Sequence, residues 1–247
     1  MAAGQNWTIE EIRHALALYL RTPFGRIHKL NPDIVILASK LGRTPSAISL
    51  KMSNLAAVDD TLPQKGMSNT SKLDKIVWEE FLTDPSYVEA AFEKQTNTQI
   101  NIGFAESKSE FDGKLGISHK KEVMVRSNQG LFREAILTAY QNRCALTGID
   151  DKRLLNASHI VAWKDDPTNR LNPRNGICLN ALHDRAFDRH LITFGEDYTL
   201  LYSDTLSQKV REKLHISSSS KLELPTRFLP DQNLLEAHRA KFLQLAR

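Results

Sequence analysis

The sequence predicts an α+β protein, with an all-helical amino-terminal domain followed by a domain whose core is two strands and a helix, flanked by further helices. Three observations predict it. Over residues 1–96, helix-start signals recur ahead of apolar residues spaced as one helix face requires. From about Thr98 to Val123 that pattern fades into the polar, glycine-bearing TQINIGFAESKSEFDGKLGISHKKEV. Beyond it, short β-type runs precede a compact helix, as in LLNASHIVAW, GICLN and ALHDRAFD. The expected boundaries are a helical domain at 1–96, a connector at 97–125 and a second domain at 126–247.

Each element follows from its punctuation. Thr8 with Glu11 forms a capping box ahead of TIEEIRHALALYLR, which satisfies orphan amides at a helix start. Asn31-Pro32 opens a second helix that Gly42 ends, and Thr44-Pro45 opens a third, TPSAISLKMSNLA. Two more follow, SKLDKIVWEEFL after Ser71 and PSYVEAAFEKQ after Asp84. In the second domain GLFREAILTAY reads as a helix, LLNASHIVAW and GICLN as strands, and ALHDRAFD as a helix that Asn180 is placed to cap. LITF and YTLLYS read as a hairpin across Gly-Glu-Asp, and LSQKVREKL and QNLLEAHRAKFLQLA as closing helices.

Composition bounds the function. With 247 residues, 41% of them apolar, the chain can bury at least one core, and wholesale disorder is excluded. A formal charge of +4 permits a nucleic-acid partner without requiring one. Two cysteines, Cys144 and Cys178, are too few for a disulfide framework or a four-cysteine zinc site, and are expected to be small buried hydrophobes. No apolar run is long enough for a membrane span, and the start MAAGQNWTIEEI lacks a basic segment followed by an apolar one, so a soluble cytoplasmic protein is expected.

The chemistry concentrates in NASHIVAWKDDPTNRLNPRNGICLNALHDRAFDRH, residues 156–190. His159 lies within a strand, a costly place for an idle polar ring. Asn175-Gly176 makes the turn into the second strand. In the helix that follows, Asp184 and Asp188 are four residues apart and share one face, where two like charges repel unless a cation sits between them. A hard divalent ion suits such oxygen ligands, and magnesium commonly needs only one or two protein carboxylates plus water and phosphate.

Strand, turn, strand and helix carrying these residues resemble the HNH endonucleases, the ββα-metal nucleases; CALTG, HIVAW, NRLNPRNG and FDRHLITF are similar to the restriction-type HNH proteins of bacteria. The resemblance covers about residues 140–195, with its core motif at 144–194. It implies metal-dependent hydrolysis of DNA phosphodiester bonds leaving 5′-phosphate and 3′-hydroxyl ends, and a role in restriction or other anti-phage defence. His159 is then the general base, Asn175 the residue that holds the ββ loop and orients that base, and Asp184 and Asp188 the metal ligands, with His183 as a second-choice ligand. Magnesium is the preferred ion, with manganese, nickel and zinc as alternatives. Ser158 stands where the family often has a ligand, and the paired cysteines that hold some HNH domains around zinc are missing. Arg170, Arg174, Arg185 and Arg189 flank the motif and are candidates to grip phosphates. One site per chain implies a homodimer or two visits to cut double-stranded DNA. The rival readings are a non-catalytic DNA-binding protein on the same scaffold and an RNA nuclease.

The first three helices are similar to Myb-like helix-turn-helix modules, in which the third helix reads DNA. That similarity makes Arg43, Lys51 and Asn54 candidates for the groove, with Arg21, Arg26 and Lys29 near the backbone; the alternative is a helical packing or dimerisation domain.

Overall fold

The computed structural model describes residues 6–60, 62, 70–100, 130–166 and 168–245. In the main these fall into two compact units, a helical one ending at Leu131 and a mixed one beginning at Phe132.

The helical unit is built around α1 (Ile9–Leu20), in which every residue from Ala15 to Leu20 is buried. A helix apolar on all sides must be surrounded, and α2 (Pro32–Lys40), α3 (Pro45–Val58), α4 (Lys72–Thr83) and α5 (Ser86–Ile100) pack against it. The expected caps are in place: Thr8 and Glu11 form a capping box, and Asn31 and Thr44 each accept an amide hydrogen bond ahead of a first-turn proline. Ser71 and Asp74 form a second box at the start of α4. Helix α5 continues to Ile100, so the connector expected from residue 97 begins as helix; its remainder from 101 lies outside the described residues.

In the mixed unit α6 (Gly130–Ala139) leads to an antiparallel pair, β1 (Leu155–His159) and β2 (Gly176–Asn180), with His159 opposite Gly176. Strand β1 ends at His159, short of the expected LLNASHIVAW, because the backbone at Val161 is taken by the side chain of Asn175 instead of a partner strand. Helix α7 (Ala181–Asp188) follows β2 directly, its first amides capped by Asn180. A small hairpin of β3 (Ile192–Phe194) and β4 (Leu200–Tyr202), then α8 (Gln208–Lys213) and α9 (Gln232–Leu245), complete the unit. Every residue of β2 is buried, and Phe187, Phe194, Ile192, Leu235 and Phe242 supply apolar bulk around α7. The α+β expectation, helices first and a strand–strand–helix core later, is what the structure has.

Gly176 makes the packing on β2 feasible. A Cβ there would lie 2.5 Å from Ile136 Cδ1 and 2.8 Å from Phe132 Cζ, so the absent side chain is what lets α6 approach the strand.

Candidate functional site

The ring of His159, at the last position of β1, lies between aromatic walls. It stacks on Phe132 with centroids 4.0 Å apart and 9° between planes, and meets Trp163 edge-on at 5.7 Å. Its Nε2 donates to the backbone carbonyl of Arg170 at 2.9 Å. A carbonyl only accepts, so Nε2 carries the proton in the neutral ring and Nδ1 keeps its lone pair. Burial pushes the imidazole pKa below its usual value, outweighing the Arg170 carbonyl and the Asp184 charge, which push the other way. The result is a neutral histidine with one nitrogen fixed and the other free to accept a proton.

The loop that carries Arg170 is fixed by Asn175. This fully buried side chain accepts from the Val161 amide at 2.8 Å and donates to the carbonyls of Val161 and Asn169 at 3.1 and 3.0 Å. Arg170 folds its guanidinium back onto Trp163, donating to that residue's carbonyl at 2.8 Å and lying over its ring. Its side chain therefore braces the loop while its carbonyl holds His159. Arg174 is paired with Asp231 at 3.4 Å. Arg185 and Arg189 are exposed on and just after α7.

Asp184 and Asp188 share a face of α7 as the four-residue spacing requires. The oxygens of Asp184 accept from Ser158 Oγ and, at 2.7 Å, from Asn156 Nδ2, so these two β1 side chains hold it. Asp188 is exposed and lines a solvent-open cleft together with His159, Ile160, Val161, Ala162, His190, Ala237, His238 and Lys241. Partial desolvation where the carboxylate meets the cleft wall and the nearby Asp184 charge raise the Asp188 pKa, outweighing the opposite pull of Arg185 and Arg189. Relief of that repulsion is what a bound cation would provide, and each Asp184 oxygen keeps a lone pair beyond its hydrogen bond. Among the described residues no three His, Cys, Asp or Glu side chains gather as a ligand cluster. Two carboxylates would leave the remaining positions of a hard divalent ion to water and phosphate.

His183 is turned away from this pair. It is buried, with Nδ1 2.7 Å from Asn180 Nδ2 and Nε2 2.7 Å from the carbonyl of Leu214. Both ring nitrogens are occupied, so the ligand role expected of it as second choice is not open to it in this arrangement. It belongs instead to a polar knot around Cys144. Burial raises the Cys144 pKa, but the neighbouring His183 and hydrogen bonds from Thr147 and the amides of Leu146 and Asn180 outweigh it and bring the thiol to about 6. Cys178 goes the other way, pushed up to about 12 by burial and its neighbour Cys144.

The amino-terminal candidates are also occupied. Lys51 is 4% exposed and pairs at 2.7 Å with Asp74, itself fully buried. Asn54 is likewise buried. Arg43 lies over the Trp7 ring and pairs with Glu11 at 2.9 Å. Lys51 and Asn54 are thus core groups of the helical unit and cannot face a groove as expected, and the Arg43 guanidinium already serves to tie α1 to the start of α3. The Lys51 correction has a plain cause: at helical spacing a lysine is read as exposed, and only the three-dimensional approach of α4 reveals its buried partner.

Sequence reasoning missed Asn156, Phe132, His238 and Lys241. Asn156 had a usable signal, since it lies two residues from Ser158 and hence on the same strand face. The others reach the cleft or His159 from distant helices, which spacing does not reveal.

A strand pair and a capped helix, with a buried neutral histidine ending the first strand and two carboxylates on the helix, make up a ββα unit. Residues 144–195 match the HNH endonuclease family, whose domains act on DNA and generally use divalent metal ions. Comparison with curated proteins gave no match. No helix among the described residues is long and apolar enough to cross a membrane.

Proposed function

We propose that the chain is a divalent-metal-dependent DNA endonuclease acting in restriction or anti-phage defence, with His159 as general base. The observation that carries this is the state of His159, neutral, held through Nε2, and sharing a cleft with Asp188. Nδ1 takes a proton from the water that attacks phosphorus; the phosphorus–O3′ bond then breaks, leaving a 5′-phosphate and a 3′-hydroxyl that takes its proton from solvent. Asp188 and Asp184 would hold the cation, magnesium or manganese in preference to nickel or zinc because the donors are oxygens. When bound it neutralises charge building on the phosphate. Asn175 and Arg170 act through the loop, as positioning residues. Arg185 and Arg189 meet backbone phosphates beside the helix. A homodimer supplies the second site for cutting both strands.

The test is digestion of matched duplex DNA and RNA with Mg²⁺, Mn²⁺, Ni²⁺, Zn²⁺ or EDTA. DNA cleavage in Mg²⁺ or Mn²⁺ that stops in EDTA and falls at least a hundredfold in Asp188→Asn is expected. Binding without cleavage under every cation, on modified phage DNA as well, favours a non-catalytic DNA-binding protein; preferential loss of RNA overturns the substrate assignment.

A further inference from the structure

The HNH match ends at residue 195, yet one wall of the cleft comes from α9, in Ala237, His238 and Lys241. Among the described residues lining it, Lys241 alone carries a permanent positive charge. Its ammonium pairs with Asp165 Oδ2 at 2.7 Å, and both side chains are partly exposed. Such pairs hold weakly in water, so a phosphate can replace the aspartate with little loss.

His190 stands beside this wall for a reason its backbone exposes. At the end of α7 the amides of His190 and Leu191 bond back to the carbonyls of Phe187 and Ala186, a Schellman closure that puts His190 at φ 52°. Glycine suits that position, and a β-carbon there is strained. The strained residue places its ring 4.4 Å from His238 and in the cleft, with Nδ1 buried and lacking a hydrogen-bond partner. The His238 ring is itself fixed, by Thr193 Oγ1 at 2.8 Å and by stacking on Phe187 at 3.9 Å. His190 thus leans on a rigid support at the wall of the cleft.

We infer that Lys241, with His190 beside it, grips a backbone phosphate of the bound DNA, Asp165 being the resting partner that the phosphate displaces. This rests on the nuclease reading, and extends the substrate site beyond the HNH segment to the carboxy-terminal helix.

Duplex-DNA affinity is measured over a salt series in a His159→Ala parent, so that substrate stays intact, and cleavage is measured in the otherwise unaltered chain. Lys241→Met should weaken binding about tenfold and lower the salt slope by about one, with an unchanged melting temperature, while Lys241→Arg retains affinity. His190→Gly should raise the melting temperature and still weaken binding. Affinity and slope unchanged in Lys241→Met, or an equal loss in Lys241→Arg, overturns the inference. If the unaltered chain cuts DNA and Lys241→Met matches it throughout, the nuclease reading stands without this grip. If the unaltered chain neither binds nor cuts DNA, the nuclease reading fails and takes the grip with it.

Discussion

A histidine on a strand is usually a satisfied core residue, and His159 differs in having one satisfied nitrogen and one available. Its depressed pKa fixes the sign of the pH dependence: the ring is the active base above that pKa and inactive below it, and burial moves the value down from the usual 6.5. The acid limb of the rate–pH profile should therefore fall below pH 6.5, with no rise attributable to histidine above it. A profile still climbing through pH 7.5 contradicts this. Lys51 gives the contrasting case of a charge that is structural. Lys51→Ala leaves Asp74 buried without its cation, and loss of one partner of such a pair costs about 3–5 kcal/mol. Thermal melting of the helical unit should drop by well over ten degrees; a change within two degrees counts against the buried pair.

At the level of elements, the close approach of α6 to β2 depends on Gly176. Gly176→Ala puts a methyl against Ile136 and Phe132, both buried, so Phe132, 2.8 Å away at Cζ, is pushed from its stack on His159. We expect a stability loss of about 1–3 kcal/mol and a fall in cleavage rate larger than that loss explains, since folded protein would carry a misplaced base. Retained activity per folded molecule would show that the stack does not position His159. This contact also marks how far the sequence was legible. Caps, strand order and the aspartate pair are written within a few residues of one another, so Thr8, Asn180, Asp184 and Asp188 could be placed from spacing alone. Phe132, Lys241 and the pairing of Lys51 with Asp74 join residues far apart in the chain, and His183 could face either way until Leu214 was seen to accept from it.

At the scale of the molecule, buried neutral histidines couple fold stability to pH. His238 is held down to about 3, chiefly by burial and then by the charges of His190 and Lys241. In the unfolded chain it takes up a proton below about pH 6.5, whereas the folded ring does not until about pH 3. The stability contributed by this neutral ring is therefore complete above pH 6.5 and declines as pH falls from there. Between pH 6.5 and 5 the melting temperature of the unaltered chain should fall relative to that of His238→Gln; the slope common to both proteins carries His14 and His159, which act in the same direction as His238, and Glu89, raised by burial to about 8, which acts in the opposite one. A difference between the two proteins that does not change over that range contradicts the buried neutral state. The most direct test of the function is plasmid cleavage in Mg²⁺ by the unaltered chain and by His159→Ala, with DNA binding followed in parallel. Metal-dependent cutting that disappears in the variant while binding persists is the predicted result. Equal cutting by both proteins would remove His159 as the base and place the chemistry elsewhere.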